Sequence, residues 1–273
     1  MKAPPAPPPE PLPAQAFDAH THLDMLPGPV EVVLAEARAA GIANVVTVGV
    51  DVDSSRWAAA TAAEHDDVYA AVAIHPNETA RATAAAGWAA ALEEIGRLAA
   101  LPGVRAVGET GLDYYRDSAP PELQRDWFRA HIRIAKACGK ALMIHDRDAH
   151  DDVLDILAQQ GAPEHVVFHC FSGDGDMAKR CADAGYVMSF AGNVTFPNAG
   201  QLREAAAVAP AELILVETDA PFLTPVPNRG RQNAPAQAAH TLRAIAKLKR
   251  IDVAELCATV MATGERVFGL EPG

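Results

Sequence analysis

The chain has 273 residues, 49% hydrophobic and 21% charged, with a formal net charge of −12. That acidic balance excludes a protein that coats nucleic acid through a broad basic surface, although bound divalent cations invert the field of a site whatever the total charge. Cys138, Cys170, Cys181 and Cys257 have no C-x-x-C spacing, which excludes a zinc ribbon or disulfide framework and predicts reduced thiols in a cytoplasmic protein.

The opening residues, Met1 to Pro13, are rich in proline and lack the apolar run of a secretory signal. They predict a disordered or polyproline-like tail over residues 1–15, with one globular domain over 16–273. No later run is long and apolar enough to cross a membrane. After the tail, short apolar runs alternate with Ala/Leu/Glu/Arg-rich segments of helical period. Strands are expected near Phe17–His20, Asn44–Val48, Val68–Ile74, Val104–Gly108, Ala141–His145, His165–His169, Tyr186–Phe190 and Glu212–Glu217. Helices are expected near Val30–Ala40, Ser54–His65, Ala84–Ala99, Pro121–Cys138, Ala149–Gln159, Asp176–Ala184, Gln201–Val208, Gln237–Lys249 and Val253–Val267. Gly41, Gly139, Gly161 and Gly185 read as helix stops and Ser54 as an N-cap. Eight β-then-α units fit an α/β fold of the (β/α)8 TIM-barrel type, which typically takes about 250 residues. A doubly wound open sheet is the alternative. The barrel is preferred because polar chemistry collects just after many different strands, where barrel active sites are built.

That chemistry begins in the first strand. Residues two apart on a strand share a face, so His20 and His22 present two imidazoles side by side, half of a metal site. Glu109 ends the fourth strand, well before the next helix at Pro121, and reads as a carboxylate ligand able to bridge two cations rather than as a cap. His145, His169 and Asp219 emerge from the fifth, sixth and eighth strands at the same end.

The segments Asp18-Ala19-His20-Thr21-His22-Leu23-Asp24, Gly108-Glu109-Thr110-Gly111-Leu112-Asp113-Tyr114, His169-Cys170-Phe171-Ser172-Gly173 and Glu217-Thr218-Asp219-Ala220-Pro221-Phe222-Leu223 resemble, in order, the signature blocks of the TatD-related metal-dependent hydrolases. The resemblance implies an amidohydrolase-like barrel with two divalent cations. One would be held by His20, His22 and Asp219, the other by His145 and His169, with Glu109 bridging them. Mixed imidazole and carboxylate ligands suit Zn²⁺ or Mn²⁺ better than an all-oxygen Mg²⁺ site, with availability able to override affinity. Two ions about 3.5–4 Å apart would activate a water for in-line attack on a phosphodiester. Asp219 is the expected catalytic residue that orients that water and accepts its proton, and no protein nucleophile is needed.

Other residues are candidates for substrate. His75, in Ile74-His75-Pro76, either hydrogen-bonds a phosphate oxygen or orders the loop before a rigid proline. Here Ala73 stands where the family usually carries glycine. Asp113, Tyr114 and Arg116 fall in a loop expected to face substrate, with Arg116 as a phosphate contact and Tyr114 either stacking on a base or packing on its neighbours. Arg229 and Arg231, in a segment resembling the family's Arg-Gly-x-x-Asn, form a small basic rim suited to phosphates. Ala234 replaces a frequent glutamate, and Asn233 fixes the loop or caps the next helix. His65, His131, His150, His165 and His240 carry no assigned chemistry.

The resulting expectation is a cytoplasmic, metal-dependent deoxyribonuclease, exonuclease-like, acting on DNA ends or oligonucleotides, with no membrane and no obligate protein partner. An ester or amide hydrolase acting, for instance, on aminoacyl-tRNA is the second reading, since the same activated water attacks carbonyl carbon. A metal-stabilised binding scaffold is the third, opposed by the presence of all six expected ligands.

Overall fold

The computed structural model describes residues 4–85 and 87–269. Its strands are β1 (Ala16–Thr21), β2 (Ile42–Val48), β3 (Val68–Val72), β4 (Val104–Asp113), β5 (Ala141–Arg147), β6 (Val166–Phe168), β7 (Val187–Phe190) and β8 (Ile214–Val216). Its helices are α1 (Val30–Ala39), α2 (Val52–Glu64), α3 (Thr79–Ala85), α4 (Trp88–Ala99), α5 (Pro121–Cys138), α6 (His150–Gln160), α7 (Gly175–Asp183), α8 (Gly200–Val208), α9 (Ala238–Lys249) and α10 (Val253–Phe268). The strands are parallel and follow one another in sequence order from β1 to β8, with a parallel bridge between Thr21 and Ala220 joining the two ends. This is the (β/α)8 barrel. β1, β3, β6, β7 and β8 are short and buried along their whole length, as parallel strands covered on both faces must be.

The chain groups into two compact units, one made of the segment up to Val46 and the segment from Cys170 onward, the other of Thr47–His169. In the second, α5 shows how helical period makes a core. Gln124, Trp127, Phe128, His131, Ile132 and Ala135 fall at the three- and four-residue spacing of one face and are buried. Trp127 stacks on Trp88 with ring centroids 4.5 Å apart. In the first unit, Phe17 of β1 meets Phe268 of α10 edge to face at 6.2 Å.

Local rules account for where the elements differ from expectation. The cap of α2 is Asp51, whose carboxylate accepts from the Ser54 backbone, while the Ser54 side chain closes the reciprocal half of a capping box. Ser54 therefore lies inside the helix. The helix expected over Ala84–Ala99 is two helices, separated at Gly87, whose φ of +78° is left-handed.

The proline-rich start departs most. The disordered or polyproline-like tail expected over residues 1–15 is, from Pro4 onward, an extended strap docked on its own unit. Ala6 N–H donates to Gln232 O at 3.1 Å and Gln232 N–H to Pro4 O at 2.8 Å, a strand-like exchange that proline carbonyls still permit. Gln237 Nε2 reaches Pro7 O, Arg243 reaches Pro11 O, and Leu12 is buried. Among the described residues no helix is long and apolar enough to cross a membrane.

Candidate metal centre

In the first unit, β1 and the loop after β8 bring His20, His22 and Asp219 together. The two imidazole Nε2 atoms are 3.3 Å apart, and Asp219 Oδ1 lies 3.4 Å from that of His22 and 3.8 Å from that of His20. Backbone bonds set this approach: Asp219 N–H donates to His20 O at 2.9 Å and His22 N–H to Ala220 O at 2.8 Å. Beneath them Asp18 is fully buried and accepts the Thr218 N–H at 2.8 Å, the Thr218 hydroxyl at 2.5 Å and the His20 N–H at 3.3 Å. Burial pushes the Asp18 carboxyl well above its usual range, against the Thr218 bonds that pull it down. Asn233 fixes the same loop, donating to Thr218 O and Phe222 O. Ala234 is the N-cap of a short 3₁₀ turn over Pro235–Gln237 and supplies no side-chain cap.

In the second unit, Glu109 gathers three imidazoles on one oxygen. Its Oε1 lies 2.6 Å from His145 Nδ1, 2.9 Å from His169 Nε2 and 3.2 Å from His75 Nε2. A bulge in β4 puts the carboxylate there. Val107 pairs with Leu142 and Thr110 with Ile144, so β4 carries one more residue than β5 over the same step. The ladder then resumes, which is why β4 runs to Asp113 rather than stopping at Gly108. Two glycines make the approach possible. A Cβ on Gly108 would lie 2.5 Å from Met143 Cβ, and one on Gly111, at φ +138°, 2.1 Å from the His145 carbonyl oxygen.

Asp113 is thus the buried last residue of β4 and does not face substrate from a loop, as expected from sequence. Its Oδ2 accepts from His145 Nε2 at 3.1 Å and from Asn77 Nδ2 at 2.9 Å, leaving His145 Nδ1 directed at Glu109. A carboxylate placed behind a histidine in this way fixes the orientation of the imidazole, as the partners of metal-site histidines do. Burial raises both carboxyls, but the imidazoles around Glu109, and the His145 and Asn77 bonds to Asp113, hold each below the ordinary carboxylate range. Burial lowers the basicity of His145, and the bonds to Asp113 and Glu109 more than reverse it.

His75 is drawn to the same oxygen, yet its Nδ1 accepts the Asn77 N–H at 3.0 Å. Nε2 is then the nitrogen that carries the proton. The ring is a donor aimed at the cluster, and burial lowers its pKa, favouring the neutral form.

The remaining candidates have contacts of their own. Arg116 is exposed, its backbone N–H capped by Asp113 at 3.0 Å. Arg229 lies over the Phe196 ring at 4.1 Å and Arg231 faces Pro5 O at 3.4 Å. Tyr114 packs on its neighbours: its hydroxyl donates to Asp152 at 2.5 Å and accepts from Arg125 at 2.9 Å. Burial and Asp152 push that hydroxyl up to about 12. His131, given no role from sequence, proves structural: Nε2 accepts the Ile74 N–H at 3.3 Å and Nδ1 donates to Thr110 Oγ1 at 2.7 Å, bracing the ends of β3 and β4. Asp18 and Asp113 went unassigned as supports, although Asp18 stands two residues before His20 on one strand face.

The donor sets fit divalent cations. His20, His22 and Asp219 offer atoms within 4.8 Å of one another, as do His75, Glu109 and His145. Imidazole with carboxylate is the ligand mixture of Zn²⁺ and Mn²⁺. The protonation of His75 makes His169, 2.9 Å from Glu109, the better third donor of the second set.

Comparison with known proteins agrees. The profile of a family described as TatD related DNase matches residues 17–269. The chain is 45% identical over 262 residues to the "Uncharacterized metal-dependent hydrolase TatD" of Mycobacterium tuberculosis, covering 93% of this chain and 97% of that one. It is 36% identical over 256 residues to the "Uncharacterized metal-dependent hydrolase YabD" of Bacillus subtilis, covering 92% and 98%. Among solved structures, the TatD homolog YJJV of Escherichia coli superposes with a TM-score of 0.87 at 28% identity, over 94% of this chain and 98% of that one.

Proposed function

The chain belongs to the TatD-related DNase family and is a metal-dependent hydrolase, and on that premise we propose that it hydrolyses phosphodiester bonds of DNA, taken from an end or as a short oligonucleotide. The observation that carries the reading is the carboxylate of Glu109 ringed by His145, His169 and His75. It is matched in chemistry by the His20, His22 and Asp219 set. In this reading His20, His22 and Asp219 would hold one cation, and Glu109, His145 and His169 would hold a second. Two such cations, when bound, lower the pKa of water and neutralise the oxygens of a phosphodiester.

The protein's own residues supply the rest. Asp219 orients the attacking water and takes its proton, one oxygen serving as ligand and the other as base. Asp113 keeps His145 in the tautomer that presents Nδ1. His75, with Nε2 protonated, donates to a non-bridging phosphate oxygen, and Arg116, Arg229 and Arg231 contact phosphates further along the strand. A net charge of −12 with only these few arginines favours a strand end over a long duplex. None of the four cysteines is in a disulfide, in keeping with the cytoplasmic location proposed.

The test is nucleotide release from end-labelled single-stranded DNA by metal-free protein reconstituted with Mg²⁺, Mn²⁺ or Zn²⁺, beside Glu109→Gln. Metal-dependent stepwise release that is lost in Glu109→Gln is the expected result. Intact DNA with every metal, from folded and metal-loaded protein, would overturn the reading. Covalently closed circular DNA cut as fast as a 3′-ended single strand would overturn the preference for ends.

A further inference from the structure

The loop after β4 contains two adjacent tyrosines with opposite fates. Tyr114 is spent on Asp152 and Arg125, whereas Tyr115 is 65% exposed and its hydroxyl forms no hydrogen bond among the described residues. An exposed aromatic ring costs free energy in water, and most such rings lie loosely on the surface. Tyr115 is held. Its backbone N–H donates to Asp113 Oδ1 at 3.1 Å, and the Arg147 guanidinium lies over its ring, 3.8 Å from the centroid. Strand register explains the contact, because Asp113 and Arg147 are paired across β4 and β5.

One face of Tyr115 is therefore covered by a cation and the rest of the ring is open to solvent. The guanidinium carbon of Arg147 sits over the ring, and among the described residues its N–H donors meet no acceptor and no carboxylate. A rigid aromatic face beside an uncommitted guanidinium matches one repeating unit of single-stranded nucleic acid, an unstacked base with its phosphate. The same Asp113 carboxylate group positions Tyr115 through Oδ1 and His145 through Oδ2. The platform is thus fixed relative to the Glu109 cluster by one side chain.

Resting on the DNA reading above, we propose that Tyr115 and Arg147 form a subsite for one nucleotide of a single strand, Tyr115 stacking on the base and Arg147 pairing with the phosphate. The strand is held in place by a base whose identity is not read, since every base offers a π face.

The test compares the metal-loaded wild type with Tyr115→Ala, Tyr115→Phe and Arg147→Ala. The substrates are a thymidylate decamer and a decamer of the same backbone built from abasic residues. Tyr115→Ala should raise KM for the thymidylate decamer about tenfold with kcat little changed, Tyr115→Phe should stay within about twofold, and neither should alter turnover of the abasic decamer. Arg147→Ala should weaken both substrates and reduce the salt slope by about 0.7. An unchanged KM in Tyr115→Ala, or an equal loss on thymidylate and abasic decamers, would overturn the subsite while leaving the nuclease reading intact. Should the wild type cleave neither decamer, the nuclease reading fails first. Fluorescence anisotropy with the labelled thymidylate decamer then decides the subsite, about tenfold weaker binding by Tyr115→Ala supporting it and equal binding overturning it.

Discussion

His131 provides a measurable link between burial and pH. It is fully buried in α5, accepts from the Ile74 backbone through Nε2 and donates to Thr110 through Nδ1, so both nitrogens are satisfied only in the neutral form. Burial pushes its pKa from 6.5 down to about 3. In the unfolded chain the imidazole takes up a proton below pH 6.5 that the native protein refuses, so this residue makes stability fall as pH drops from 6.5 toward 3. With those two values one side chain costs about 2–3 kcal/mol of stability between pH 7 and pH 4.5. The assay is urea unfolding of chelator-treated protein at both pH values, for wild type and His131→Gln. Glutamine does not titrate, so the variant should lose about 2–3 kcal/mol less over the interval. It should also start about 1–3 kcal/mol lower near pH 7, because an amide in the place of Nε2 leaves the Thr110 hydroxyl without its Nδ1 donor. Parallel pH dependences in the two proteins would refute the assignment of a neutral, buried His131.

Three further outcomes follow from the same geometry. Asp113→Asn should lower affinity for the second cation about 10–100-fold, read by competition with a chromophoric chelator, because His145 loses the carboxylate that orients it. Unchanged affinity would show that β5 alone orients the ring. Gly111→Ala places a Cβ 2.1 Å from the His145 carbonyl at a φ of +138°, so both the thermal midpoint and metal content should fall; a variant normal in both would contradict the bulge. Deleting residues 1–10 removes the bonds from the strap to Gln232 and Gln237 and should cost about 2 kcal/mol in urea unfolding, while an unchanged midpoint would mean that the strap docks without stabilising.

The barrel and the candidate ligands were legible in the sequence because both are written in local terms. Apolar runs such as Val68–Val72 alternate with segments of helical period such as Pro121–Cys138, and that alternation defines β/α units wherever they occur. His20, His22, Glu109, His145, His169 and Asp219 stood out as polar residues at the ends of apolar strands, and their order matched a family signature. What the sequence could not show was anything that depends on one segment meeting another. Val104-Arg105-Ala106-Val107-Gly108 ends in what looks like a stop, and only pairing with β5 carries the strand on to Asp113 and turns that residue from a loop carboxylate into a support for His145. Tyr114 and Tyr115 are indistinguishable as neighbours in the chain, and Asp152 from α6 and Arg147 from β5 decide which is bound and which is exposed. A proline-rich opening reads as disordered because it lacks its own apolar pattern, yet its carbonyls are acceptors for the donors of Gln232, Gln237 and Arg243. Periodicity reports the face a residue turns inward, whereas the partner waiting there is chosen by chain closure over tens to hundreds of residues.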